Sequence, residues 1–279
     1  MKHLEEKIFK VLMLLSAFII LGVLGYILFT IVSKGLPSLS LDMISKLPNG
    51  GFYLGKEGGI LNAILGSLYL IAGAVILALA LSIPVTMYIN FYLPKKSRFA
   101  STVRFSFDIL FGIPSIVYGA FGFAVMIFFG LKASLLGGIV AVGMLITPII
   151  MRSLDEVARL VPKDLTETPL SLGATKFEMI KIILRQLLPG ITTAVLLAIG
   201  RGIGDAATVL FTAGYTDNIP TSLSHPTATL PLAIFFQLGS PSEEVQSRAY
   251  AAALILTIII LILSLSARYF SRKLSKNRV

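Results

Sequence analysis

Apolar and polar positions fall along this chain in long blocks rather than at a short helical or strand period. Six apolar stretches stand out, at residues 9–32, 60–93, 105–130, 134–151, 189–213 and 249–267, with polar intervals between them. A helix needs ~20 predominantly apolar residues to cross a bilayer. Only a structure that satisfies its own backbone hydrogen bonds can do so. The pattern therefore predicts an all-α polytopic membrane protein with six transmembrane helices, a single membrane domain over residues 1–279.

Two stretches carry internal warnings. The second has 34 residues; at about 1.5 Å per residue it outruns a hydrocarbon core ~30 Å thick, so part of it should project or kink, with Pro84 the natural place. The third holds Pro114 early, within G-I-P-S-I-V-Y-G. A proline there frees a backbone carbonyl that neighbouring helices must satisfy.

Composition agrees with the pattern. The chain is 56% hydrophobic and 14% charged, with mean hydropathy +0.88; soluble domains carry about a quarter charged residues. The charges are also lopsided, since 18 of the 24 lysines and arginines gather on one side, among them Lys7, Lys95, Arg104, Lys276 and Arg278, with six in residues 152–188. Basic residues stay cytoplasmic on insertion, so both termini are expected in the cytoplasm. The first stretch is expected to be a retained helix, because its 24 residues exceed a signal-peptide core of about 7–15 and no A-x-A site follows.

Several functions drop out. A net charge of +10 would suggest nucleic acid in a soluble chain, but basic residues at membrane edges are accounted for by anionic lipid, so no nucleic-acid partner is expected. The absence of cysteine excludes disulfides and thiolate metal sites, and the two histidines, His3 and His225, lie outside the apolar stretches, where they cannot hold an intramembrane haem. No G-x-x-x-x-G-K-[ST] occurs; Gly55-Lys56 is followed by Glu57. The chain is thus expected to have no nucleotide site and to bind no cofactor or metal of its own. The G-R-G-I-G of residues 200–204 lacks the preceding strand of a dinucleotide fingerprint, and small residues at a helix interface explain it better.

Two polar features remain. Residues 152–188 balance six basic against five acidic residues and space Phe177, Ile180, Ile183, Leu184 and Leu187 at a helical rhythm. Short helices lying against another surface fit that rhythm, Pro169 suits a helix start, and Gly173 permits a turn or a close backbone approach. An ordinary solvated loop fits the charge balance as well. Within 189–213, Arg201, Asp205, Thr208 and Thr212 fall on one face of a continuous helix, a polar stripe in an apolar span. An arginine at bilayer depth costs ~2.5–3.5 kcal/mol on insertion scales and should face a partner or a wet cavity. The stripe reads either as a packing pair or as a substrate path in which Arg201 offers bidentate donors to an oxyanion and Asp205 orients the guanidinium.

Motifs add a resemblance. Glu167, Gly173, Ala174 and Ile183 stand in E-T-P-L-S-L-G-A-T-K-F-E-M-I-K-I-I with the spacing of the EAA loop of ABC importer permeases, although Thr168-Pro169 replace two alanines and Arg185-Gln186 replace Leu-Pro. The segment G-R-G-I-G-D at 200–205 is similar to the G-R-A-I-G-E of phosphate-specific ABC permeases of the PstA type, with Asp205 in place of Glu. G-G-I-L-N-A-I-L-G-S-L at 58–68, G-I-P-S-I-V-Y-G at 112–119 and L-G-A-T-K at 172–176 accompany it. The resemblance implies a type I ABC importer permease (MetI-like) architecture and a role as permease subunit in phosphate import across a prokaryotic cell membrane. It also implies 152–188 as a docking loop for an ATPase, with coupling through Glu167, Gly173, Ala174 and Ile183. The partners implied are a homologous PstC-type permease, a PstB-type ATPase dimer that binds ATP and Mg, and an extracytoplasmic PstS-type phosphate-binding protein.

On the opposite side, residues 214–247 contain no lysine or arginine. They are expected to be the landing surface for such a receptor, with 229–238 either touching the interface or packing over neighbouring helices. The competing functions are a permease for another oxyanion such as sulfate or molybdate, and an ion-coupled transporter or channel, which would need no docking loop.

Overall fold

The structure, a computed structural model, describes residues 2–49, 57–94 and 96–275; Gly55, Lys56, Lys95, Lys276 and Arg278, used in the sequence reading, lie outside the described residues. Among the described residues eleven α-helices follow one another, and the one strand pair is a two-residue antiparallel ladder of β1 (Pro48–Asn49) and β2 (Glu57–Gly58). Five of the described helices are long and apolar enough to cross a membrane, and a bent pair makes a sixth candidate.

The first, α1 (Lys2–Gly35), keeps its apolar side chains exposed along almost its whole length. It touches the rest mainly through α11 (Glu243–Ser275). Gly35 allows that contact, since a Cβ there would meet the Tyr250 carbonyl carbon at 2.9 Å. A short helix α2 (Leu41–Ser45), capped by Ser40, leads to the ladder.

The core is built on α3 (Leu61–Met87), α6 (Leu135–Arg159) and α8 (Lys176–Gly202). Small residues bring them close: at Gly202 a Cβ would meet Ile71 at 2.8 Å and both Ile146 and Val142 at 3.2 Å, while at Gly143 it would meet Leu77 at 2.8 Å. Of the glycines in G-R-G-I-G, only Gly202 serves such an interface; Gly200 and Gly204 have open space beside them. Pro84 does not break α3. The helix runs through it and loosens just beyond into a π-helical turn, Tyr88–Tyr92, where the Tyr88 N–H reaches both the Pro84 and Val85 carbonyls.

Pro114 does break its stretch. Residues 105–130 are not one straight span but the ends of α4 (Arg98–Gly112) and α5 (Ser115–Phe128), bent by 102°. The clash of a proline ring with the preceding residue drives Ile113 into extended backbone, φ −73° and ψ 131°. Leu110 O, which the missing proline N–H would have served, accepts the Ile113 N–H at 3.2 Å and the Tyr118 hydroxyl at 2.8 Å.

The stretch 189–213 is also redrawn. Its helix begins at Lys176 under a Thr175/Glu178 capping box, passes through Pro189 and stops at Gly202; a turn follows, then α9 (Val209–Thr212). The stripe over residues 201–212 is therefore not one helical face. Beyond it, α10 (Leu230–Leu238) buries Leu230, Pro231, Leu232 and Ala233 against α3 and α11, which is the packing alternative for 229–238. Ser67 Oγ accepts the Leu230 N–H at 2.8 Å, and Gly66 lets the Ala228 carbonyl sit where a side chain would be.

Candidate functional site

Although the helix ends at Gly202, the four polar residues still connect. Arg201 Nη1 reaches Asp205 Oδ1 at 3.4 Å, and Asp205 Oδ2 accepts the Thr208 N–H at 2.9 Å, just before α9. Thr208 Oγ1 donates to Ser115 O at 3.1 Å and Thr212 Oγ1 to Thr208 O at 2.8 Å. Both threonines are fully buried, so their hydroxyls tie α9 to α5 and to its own backbone rather than lining a path. Asp205 is buried too, with 4% of its side chain exposed against 49% for Arg201. The chain of bonds thus ends in one open group: a guanidinium braced from behind by a buried carboxylate.

Arg201 lines a cavity of about 520 Å³ between α4, α6 and α8. Its walls are apolar, including Leu110, Leu145 and Leu197, except for Arg201, Arg152, Ser153 and Glu156. Arg152 lies over the Phe111 ring at 5.5 Å from its centroid. Its counter-ions are held loosely, Glu156 at 3.5 Å and Asp108 at 3.9 Å, all in exposed positions. In a pocket with mostly apolar walls the few polar groups decide what binds, and two guanidinium groups suit an anion. Arg152 escaped the sequence reading because it lies 49 residues from Arg201; only the antiparallel course of α6 and α8 brings them to one cavity.

The end of α6 is fastened differently. Asp155, with 11% of its side chain exposed, accepts from Arg104 Nε with both oxygens (3.1 and 3.0 Å), from Asn90 Nδ2 at 2.8 Å and from Arg159 Nη2 at 2.7 Å. Arg104 Nη2 also donates to Asn90 Oδ1 at 3.0 Å. Four residues from α4, α6 and the π-helical turn are thereby joined beside residues 152–188.

In that segment α6 continues to Arg159, α7 (Asp164–Ser171) follows, and α8 begins. Glu167 is exposed and Ala174 partly so. Gly173 sits at φ +87° with open space around it, so it serves a turn and not a close approach. Ile183 differs from expectation. It is fully buried with Met87, Ala158, Met179, Ile180 and Leu187, so the helical rhythm describes packing onto this chain's own helices. The most exposed large apolar groups there are instead Leu160 (79%), Leu172 (83%) and Phe177 (73%). The first two were not singled out from sequence; both lie where a helix stops, a place that periodicity does not weigh.

Residues 80–276 match the family described as "Binding-protein-dependent transport system inner membrane component". The chain is 34% identical over 277 residues to "Phosphate transport system permease protein PstA" of Pasteurella multocida, covering 99% of this chain and 97% of that one. It is 33% identical to the protein of the same name from Haemophilus influenzae (95% and 93% covered) and 36% to that from Yersinia pestis (89% and 83% covered). Among solved structures, an inward-facing form of the MetNI methionine ABC transporter superposes with a TM-score of 0.62 at 17% identity, covering 77% of this chain and 97% of that one. That likeness concerns the fold, which is the MetI-like permease architecture.

Proposed function

Since the chain belongs to the binding-protein-dependent inner-membrane permeases, and among them to those of the PstA type, we propose that it forms one half of an ATP-driven pathway that imports inorganic phosphate, Arg201 being its anion contact. The other half is a homologous PstC-type permease that closes the open side of the cavity. The observation that carries this reading is the half-exposed Arg201 guanidinium, braced by the buried Asp205, at a cavity whose walls are mostly apolar.

Each residue then has a role. Arg201 presents planar donors to two phosphate oxygens. Asp205 positions the guanidinium and offsets part of its charge, so that the anion is held weakly enough to leave. Thr208 and Thr212 hold α9 in place and have no direct part in the path.

The chain supplies no energy itself. Leu172 and Phe177, on either side of the Gly173 turn, form the surface on which a PstB-type ATPase, carrying ATP and Mg, docks. Ile183 acts behind that surface by seating α8. The excess of basic residues assigns this end, and both termini, to the cytoplasm. Residues 214–247 at the other end then face a PstS-type receptor.

Charge-conserving Arg201→Lys in the assembled transporter is the test. Lysine keeps the charge but loses the fork. Phosphate uptake should fall by about tenfold or more, the weight of one charge-assisted hydrogen bond, with the ATPase still bound. Unimpaired uptake would remove Arg201 from the path.

A further inference from the structure

The cavity beside Arg201 holds a second set of polar groups nearer the 152–188 end, and they differ in kind from the first. Val157 of α6 meets Gly190 of α8, and Ile146 meets Gly202. Arg201 is therefore level with about residue 147, and Arg152 lies five residues, or ~8 Å, closer to the docking end. Both line the same cavity. The brace behind Arg201 is a buried, fully used carboxylate; the one beside Arg152 is Glu156, 70% exposed and 3.5 Å away. Both members of that pair are open to solvent, Arg152 being 53% exposed, and their contact is longer than a hydrogen bond of ordinary strength.

From this arrangement we propose that Arg152 and Glu156 form a second oxyanion station on the exit side of Arg201, in which Glu156 selects protonated oxyanions over fully ionised ones. The proposal rests on Arg201 being the anion contact. An anion leaving Arg201 takes over the Arg152 fork from Glu156, whose loose, solvated pairing costs little to give up. The released carboxylate then faces the bound anion. At neutral pH inorganic phosphate still carries a proton and can donate it in a hydrogen bond to Glu156. Sulfate carries none, so its oxygens and the carboxylate would meet as two acceptors of like charge. A site built to receive a hydrogen bond rejects the ligand that lacks the donor. The same carboxylate returns to Arg152 once the anion has gone, which keeps the station from becoming a trap.

The absence of cysteine in this chain permits a direct test. Ser153→Cys places a thiol on the cavity wall, and Ile149→Cys, one turn away on the same wall, is the second reporter. In the purified, assembled transporter, modification of that thiol by a small methanethiosulfonate reagent is timed with phosphate or with sulfate at equal ionic strength. Phosphate should slow it and sulfate should not. Adding Glu156→Gln should let sulfate protect, changing the preference by about tenfold, the weight of one hydrogen bond to a charged group. Adding Arg152→Ala should abolish protection by either anion. No protection in the parent, or an unchanged preference in the Glu156→Gln background, overturns the proposal. Uptake by Arg201→Ala is measured alongside: full uptake there would strike the reading of Arg201, whereas normal loss of uptake with unchanged thiol kinetics strikes the second station alone.

Discussion

Replacing Asp155 by asparagine removes one charge and almost no volume from the fastening of α4, α6 and the π-helical turn. Both Asp155 oxygens accept, from Arg104, Asn90 and Arg159, at 2.7–3.1 Å. An asparagine keeps one acceptor and turns an amide donor toward guanidinium donors. Breaking a buried ion pair on one side costs about 3–5 kcal/mol, because the remaining charge stays desolvated. Here Arg104 is 25% exposed and Arg159 55%, so water recovers part of that cost and about 2–3 kcal/mol remains. For a chain of this size each kcal/mol shifts a melting midpoint by about 2–4 °C. The purified transporter carrying Asp155→Asn should thus melt roughly 5–10 °C lower in detergent. Asp155→Asn with Arg104→Met removes both charges and should recover part of the loss. A single variant within about 1 °C of wild type would refute the account of this network.

Three other substitutions separate the roles assigned above. At Gly173, φ +87° with open space makes the obstacle conformational; Gly173→Val should cost about 1–2 kcal/mol in that turn and weaken ATPase co-purification, while Gly173→Asn, which tolerates the left-handed region, should retain it. At the docking surface, Leu172→Asp and Phe177→Asp should leave the melting midpoint unchanged and weaken ATPase binding by about 2 kcal/mol, as loss of an interface anchor does. Intact co-purification of both would remove the docking role. At Gly66, a methyl group would displace the Ala228 carbonyl; Gly66→Ala should destabilise by about 1–3 kcal/mol, seen in thermal melting, without touching the ATPase interface.

How far the sequence could be read depended on whether a feature is local. Apolar blocks point to α1, α3, α6 and α11 because length and hydropathy are properties of the segment itself, while α1, α6 and α11 continue past the blocks into polar flanks. Proline shows where that stops. Pro84, Pro148 and Pro189 all lie inside continuous helices, whereas Pro114 ends one, with Ile113 extended and Tyr118 folded back onto the freed carbonyl. The outcome depends on neighbours that no single segment contains. The stop at Gly202 was hidden for the same reason, since G-I-G within an apolar run reads as more span. The spacing of Arg201 and Asp205 was legible and their pairing followed, but the burial of Thr208 and Thr212 depends on α5 and α9. Periodicity found Ile183 without telling which surface it meets. Arg152 and Glu156 were visible as loop charges only, because their site exists once α6 and α8 run side by side.

Phosphate uptake into vesicles holding this chain with its co-encoded partners, with and without internal ATP, tests the central claim most directly. Wild type should import phosphate only with ATP, and Arg201→Ala should abolish that import while the ATPase remains bound. Import that needs no ATP, or that survives Arg201→Ala at the wild-type rate, would contradict the account.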